Sequence, residues 1–151
     1  MIRRSSTAEA ESHFAVQRAA CVAGLPHIYP PELYPFPDEE IRRRWRDWSA
    51  TTLVCERDGR VIGVAGVERC WLHGFYVLPE HWGTGVADEL HDAALAEQRD
   101  CAELRLWVLE ANARARRFYE RHGWRPNGET RVVPYPPHPL DVGYTYVREE
   151  P

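Results

Sequence analysis

The amino-acid sequence predicts one domain of the α/β class, built on a mixed β-sheet, over residues 1–151. The chain is 44% hydrophobic and 28% charged, which suits a single globular domain with a buried core. From residue 51 onward, strand-like and helical segments follow in the order strand, strand, strand, helix, strand, helix, strand, strand. This order is typical of helices packed on a sheet that has both parallel and antiparallel neighbours.

The first third of the chain predicts a short strand and two helices. Thr7, with acidic residues behind it, is the expected N-cap of the first helix. Residues 25–37 hold five of the twelve prolines, so neither a continued helix nor a central strand is expected there. The predicted bounds are residues 2–5 for the strand, 7–24 for the first helix and 38–48 for the second.

The rest of the chain begins with a predicted β-hairpin, because Asp58-Gly59 supplies the residues that a tight turn needs. Pro79 stops a third strand, Gly123 stops the last helix, and a proline-rich segment joins two final strands. The predicted strands are residues 51–56, 61–67, 72–78, 104–109, 130–135 and 141–148, and the predicted helices are residues 86–95 and 113–122.

Charge and hydropathy exclude several classes of function. The formal net charge of −4 disfavours nucleic-acid binding, which calls for a basic face. No apolar run approaches the roughly 18 residues of a membrane span, and no apolar segment follows the basic start. We therefore expect a cytoplasmic protein without a membrane or nucleic-acid partner.

The four cysteines are scattered and contain no Cys-x-x-Cys pair. Their apolar neighbours favour buried, reduced thiols over disulfides. Cys70 and His73 have the spacing of half a zinc site, but no second ligand pair follows, so we expect no metal.

Residues 81–87 form a candidate phosphate-binding turn, called the glycine turn below. A turn from a strand into a helix points backbone N–H groups outward at the positive end of the helix dipole. Gly83 and Gly85 let oxygen atoms approach the main chain closely. A P-loop would need lysine at Val86, and a dinucleotide turn would need glycine or alanine at Asp88. Taken alone, the turn is also compatible with a strand-to-helix connection that holds no ligand.

Residues 75–87 resemble the cofactor motif of the GNAT superfamily of acyl-CoA N-acyltransferases, in which a strand and a proline precede Gln/Arg-x-x-Gly-x-Gly/Ala. Trp82 stands where the family prefers glutamine or arginine. Because such turns hold pyrophosphate mainly through main-chain N–H groups, we expect Trp82 to pack and binding to survive. Residues 106–124 resemble a second family block, strand-Asn-x-x-Ala-x-x-hydrophobic-Tyr-Glu-x-x-Gly-aromatic. The resemblance spans residues 1–148 and is specific in 72–90 and 104–124.

The resemblance implies a GNAT-like fold with a twisted, mostly antiparallel sheet of about six to seven strands, about four helices and strands splayed at the cofactor site. It implies an N-acetyltransferase that moves an acetyl group from acetyl-CoA to a primary amine by direct attack in a ternary complex. The acceptor is expected to be a small molecule or a peptide. A catalytically silent acyl-CoA-binding or regulatory module is the alternative, because Trp71 replaces a glutamate common in the family. No serine lies in a Gly-x-Ser-x-Gly elbow, which disfavours a serine hydrolase.

Site residues follow from the same resemblance. A backbone N–H within residues 75–77 is expected to meet the oxyanion, and Val77 to pair with the pantetheine arm. Tyr119 is the expected acid for the departing sulfur. Asn112 is expected to be a helix N-cap and also a cofactor contact. The expected cofactor contacts are Phe75, Tyr76, Val77, Trp82, Gly83, Thr84, Gly85, Val86, Ala87, Asn112, Ala115 and Phe118.

The general base and the acceptor pocket are open at this stage. Glu68 and His73 are the candidate bases, since histidine titrates near neutrality, whereas His81 is expected to be a turn residue. Aromatic rings from residues 25–37 and from the tail suit a pocket for a cation or a ring, or else fill space under the loops. The candidate pocket residues are Tyr29, Tyr34, Trp71, Tyr135 and Tyr144, with Phe36 also available. The tyrosine-rich tail hairpin makes a homodimer one further expectation.

Overall fold

A computed structural model describes residues 1–149, which form seven strands and four α-helices. The strands are β1 Ile2–Ser5, β2 Thr51–Arg57, β3 Arg60–Glu68, β4 Trp71–Val77, β5 Glu103–Leu109, β6 Arg125–Val132 and β7 Leu140–Val147. The helices are α1 Ala10–Gly24, α2 Asp38–Arg46, α3 Val86–Glu97 and α4 Ala113–Arg121, with short 3₁₀ helices at Thr7–Glu9 and Pro79–His81. Within residues 1–149 no helix is long and apolar enough to cross a bilayer.

The seven strands form one sheet in the order β1-β2-β3-β4-β5-β7-β6. Every neighbouring pair is antiparallel except β4 and β5, which are parallel. These two strands pair only at Trp71 and Arg105, at their starts, where the Arg105 N–H also donates to the Cys70 carbonyl over 2.9 Å. Beyond that point they separate. The predicted mixed, mostly antiparallel sheet with splayed strands is confirmed.

The core lies on both sides of β3, which is why that strand is an apolar run. Residues 62–67 are all buried, because α1 contacts β3 from one side and α3 from the other. Leu90 on α3 and Leu106 on β5 are fully buried against the same sheet. The central strands are therefore held between two helical layers, and the position of β4 is fixed by both.

A β-bulge in β4 decides which way its side chains face. Gly66 pairs with Gly74 while Val67 pairs with Leu72, so His73 is the extra residue. After the bulge, Phe75 contacts side chains of α3 and α4, whereas His73 contacts Trp48, which follows α2. The bulge thus gives β4 one face toward α3 and α4 and another toward α2.

The predicted boundaries of two elements are wrong. Ser6, not Thr7, caps the first turn by accepting the Ala8 N–H, and that turn is a 3₁₀ helix before α1. The strand expected at residues 130–135 starts earlier, at Arg125, and ends at Val132. Its first half contains proline and a glycine with φ of 87°, and it tolerates both because β6 lies at the sheet edge.

The prediction of reduced thiols is wrong for one cysteine pair. Cys70 and Cys101, with Cα atoms 5.7 Å apart, form a disulfide, while Cys21 and Cys55 are free. The parallel pairing of β4 with β5 brings together the two turns that precede these strands, and each turn holds one of the cysteines. Because Cys70 is in the disulfide, the pair Cys70 and His73 is not available to a metal ion.

Candidate active site

The glycine turn follows a short 3₁₀ helix after β4 and leads directly into α3. Gly83 and Gly85 have φ angles of 75° and 92°, in the left-handed region that favours glycine. A Cβ atom on either glycine would meet nothing within 4 Å, so the turn has an open surface. Gly85 is the N-cap of α3 and brings no side chain, so the first N–H groups of the helix are uncapped. This is the geometry that binds phosphate oxygens.

Trp82 anchors the turn to the rest of the protein. Its Nε1–H donates to the Val77 carbonyl over 2.8 Å. The indole lies against Gly24 at the end of α1, and the guanidinium of Arg114 lies 3.5 Å from its ring centroid. The prediction that Trp82 packs is confirmed. The Thr84 hydroxyl donates to the His81 carbonyl over 2.6 Å, which closes the turn, and His81 is the last residue of the short 3₁₀ helix.

The end of β4 presents unpaired backbone groups to the gap beside β5. The Leu78 N–H donates to the Ile62 carbonyl, and antiparallel ladders alternate, so Phe75 and Val77 direct their N–H and C=O groups away from β3. β5 does not pair with either residue. The Val77 carbonyl already accepts the Trp82 Nε1–H. The N–H groups of Phe75 and Val77 and the Phe75 carbonyl therefore remain facing the gap.

Tyr119 lies on α4, behind Phe75. It is 8% exposed, and its ring centroid is 6.3 Å from that of Phe75 and 6.0 Å from that of Trp124. Burial raises its pKa well above the ordinary value, so the hydroxyl is protonated at neutral pH. The Asn112 side chain caps α4 by accepting the Ala115 N–H over 3.2 Å, which confirms its N-cap role. The cofactor contacts of Asn112 and Ala115 stay predictions.

A buried histidine supports the packing around Phe75. His91 on α3 is 1% exposed, and its Nε2 accepts the Trp124 Nε1–H over 2.9 Å. Its ring lies edge-on to Phe75 and to Phe118. Phe118, expected to contact the cofactor, is half-buried and stacks on Phe75 at 5.5 Å. Burial lowers the pKa of His91, with a smaller opposing effect from a hydrogen bond to Asp92.

The candidate bases are neighbours: Glu68 ends β3, and His73 lies on the α2 side of β4, where Glu68 acts on its charge. Glu68 pairs in register with Trp71, and the Trp71 and His73 rings stack at 5.9 Å. Partial burial lowers the pKa of His73, and Arg131 adds to this, whereas Glu68 acts in the opposite direction. His73 can therefore be neutral near pH 7, as a base must be.

The candidate acceptor residues are placed in different surroundings. The Tyr135 hydroxyl donates to Glu40 over 2.5 Å and also contacts Arg44, so the loop between β6 and β7 touches α2. Tyr29 is half-buried, and burial, followed by Asp141, raises its pKa. Tyr34 and Phe36 are half-buried in the same loop as Tyr29. Tyr76 of β4, an expected cofactor contact and not an acceptor residue, is half-buried, and burial is the chief cause that raises its pKa. Tyr144 is fully buried, and its hydroxyl accepts from Arg116 Nε over 2.9 Å. Their roles in binding stay predictions.

Sequence reasoning missed several residues at this face. Trp107 on β5 stacks on Trp71 at 6.2 Å, and the Arg131 guanidinium lies 4.6 Å from the Trp107 centroid. The period-two pattern of β5 puts Trp107 on the face opposite its buried leucines, and that was the one signal available. The contact of Arg114 with Trp82 had no sequence signal, because only the fold brings these segments together.

Comparisons with known proteins agree with this geometry. A model of the acetyltransferase (GNAT) family matches residues 22–124. An uncharacterised N-acetyltransferase of Mycobacterium tuberculosis is 38% identical over 104 residues, 64% of this chain and 65% of its own length. One from Archaeoglobus fulgidus is 35% identical over 80 residues, 44% of this chain and 54% of its own length. This chain thus spans less than two thirds of both relatives.

Solved structures agree in fold. Apo-form YjaB from Escherichia coli has a TM-score of 0.77 at 22% identity, over 97% of each chain. yncA from Salmonella typhimurium, a putative acetyltransferase solved with its cofactor acetyl-CoA, has a TM-score of 0.71 at 17% identity, over 99% of this chain and 94% of its own. At such identities these structures show the fold alone.

Proposed function

Because this chain belongs to the acetyltransferase (GNAT) family, we propose that it moves an acetyl group from acetyl-CoA to a primary amine of a small molecule or peptide. The observation that carries the proposal is the uncapped start of α3 next to the gap between β4 and β5. The start of α3 suits phosphate groups, and the gap between β4 and β5 suits an extended chain that carries amides.

The residues present fit an acyl-CoA thioester as donor substrate. The N–H groups of the glycine turn and of the first turn of α3 would hold the pyrophosphate. The Val77 N–H and the Phe75 carbonyl would pair with the pantetheine amides, as a neighbouring strand does. The thioester would then lie in the gap between β4 and β5, near Phe75 and within reach of α4.

The chemistry assigns one task to each group. A neutral amine attacks the thioester carbon, so a C–N bond forms and the C–S bond breaks. The Phe75 N–H would stabilise the negative charge that develops on the carbonyl oxygen. Tyr119, kept protonated by burial, would give its proton to the departing thiolate. His73 or Glu68 would take the proton from the newly formed ammonium, directly or through water.

The test is thiol release from acetyl-CoA in the presence of a panel of amino acids, polyamines, arylalkylamines and peptides. Tyr119→Phe should lower kcat by at least about tenfold on any acceptor that is used. Tyr146→Phe is the matched control, because Tyr146 also packs on Trp124, at 5.6 Å, and should keep its rate. An unchanged rate in Tyr119→Phe would remove Tyr119 as the acid. Coenzyme A binding without turnover on any amine would favour the catalytically silent module.

A further inference from the structure

We propose that Arg114 binds a phosphate group of the acyl-CoA donor, and that its stacking on Trp82 holds it at the glycine turn for this purpose. The inference rests on the proposed function, since the phosphate belongs to the donor. Arg114 would supply the turn with a positive side chain, which Trp82 does not provide at the position where the family prefers glutamine or arginine.

The position of the Arg114 guanidinium is fixed by a short chain of contacts. It lies 3.5 Å from the ring centroid of Trp82. The indole is in turn fixed by its hydrogen bond to the Val77 carbonyl and by contact with Gly24. Trp82 is itself a residue of the glycine turn and directly precedes Gly83, so the guanidinium is held against a side chain of that turn. A charged group held over an aromatic face needs little further ordering when a ligand arrives.

Arg114 also lacks, within residues 1–149, hydrogen bonds like those of Arg116 on the same helix. Arg116 donates to the Tyr144 hydroxyl and to the Glu110 carbonyl. The Arg114 side chain is exposed overall, but its contact with the indole removes part of the water around the guanidinium and lowers its pKa, and no acidic group among residues 1–149 offsets this effect. The guanidinium nevertheless stays charged, because its pKa is far above neutrality. A charge that has lost part of its hydration and has no counter-ion gains from a bound anion.

The acidic side chains near the turn do not meet this need. Asp88 and Glu89 both lie in the first turn of α3. Asp88 contacts His122 Nε2 over 2.7 Å, and Glu89 lies 3.9 Å from Arg57. The uncapped N–H groups of α3 and the guanidinium of Arg114 are therefore two positive features that Asp88 and Glu89 do not neutralise. A phosphate suits both, because the planar guanidinium donates to two oxygens at once.

The experiment measures dissociation constants of coenzyme A and of 3′-dephospho-coenzyme A by calorimetry at two salt concentrations. Arg114→Gln should weaken coenzyme A binding about tenfold, the size expected for one charge-assisted contact. Its affinity should also depend less on salt than that of the parent. Arg114→Lys, which keeps the charge, should recover part of the loss. Arg117, another exposed arginine of the same helix, does not lie over Trp82, so Arg117→Gln is the matched control and should bind like the parent.

The two ligands identify which phosphate is bound. An equal loss for both in Arg114→Gln supports contact with the pyrophosphate, and a loss confined to coenzyme A supports contact with the 3′-phosphate. Parent-like affinity in Arg114→Gln, or a salt-independent loss that Arg114→Lys shares in full, overturns the inference while leaving the proposed function intact. Absence of coenzyme A binding by the parent contradicts the proposed function itself.

Discussion

The disulfide between Cys70 and Cys101 gives a stability prediction with a defined size. It joins the turn between β3 and β4 to the loop between α3 and β5, beside the one place where β4 and β5 pair. Gln98 bridges the same junction, accepting the Cys70 N–H over 2.7 Å and donating to the Trp71 carbonyl over 3.0 Å. Removing the crosslink should therefore destabilise the protein and leave the local geometry in place.

The expected magnitude follows from the closed loop. The two cysteines are 31 residues apart, and loop-closure entropy for that length corresponds to about 3.7 kcal/mol at 25 °C. Total stabilities are about 5–15 kcal/mol, so the loss is a large part of the whole. With a urea m-value of roughly 1–3 kcal/mol/M, the unfolding midpoint of a Cys70→Ser/Cys101→Ser variant should fall by more than about 1 M.

Urea unfolding, followed by circular dichroism, measures this loss. Reductant should lower the midpoint of the parent to that of the double variant and leave the double variant unchanged. Thiol titration of the unfolded, unreduced parent should find two of the four cysteines free. Four free thiols, or a parent insensitive to reductant, would refute the crosslink and the stabilisation assigned to it.

Three further predictions concern the cap, the buried histidine and the base. Asn112→Ala should lower the free energy of unfolding by about 1 kcal/mol through loss of the α4 cap, measured in urea against the parent. His91 has a lowered pKa in the folded state, so the unfolded state binds its proton first and stability should fall as pH drops below about 6.5. In His91→Phe, stability should depend less on pH. A variant whose stability falls as steeply as that of the parent would contradict this role of His91. If His73 is the base, kcat/KM should rise with pH through an inflection below about 6.5, and this inflection should be absent in His73→Gln. If the inflection is instead lost only in Glu68→Gln, Glu68 is the base.

Local signals in the sequence predicted most of the fold. Period-two and helical patterns predicted the bounds of β2, β3, β5, α3 and α4 to within a few residues. These patterns are local, because the residues of one buried face recur at short, regular intervals along the chain. The glycine turn was recognisable because two left-handed positions at the start of a helix call for glycine. Asn112 was recognisable as a cap because its side chain satisfies an N–H only three residues away.

The remaining features depend on contacts between distant segments. The bulge at His73 arises from the register of β3 against β4, which composition does not reveal. The disulfide needs the parallel start of β4 and β5, and the stack of Arg114 on Trp82 needs α4 to lie against the glycine turn. Pro126 and Gly128 hid the first half of β6, since both are turn residues unless the strand lies at an edge.

The proposed function requires that an acyl-CoA donor occupy the glycine turn and the gap beside β4. Amide NMR of the 151-residue protein during titration with coenzyme A tests it most directly. We predict saturable shifts for residues 75–77, 82–88 and 112–116, with little change in β1 or β6. Saturation without shifts in the glycine turn, or no saturable shift at all, would exclude this mode of donor binding.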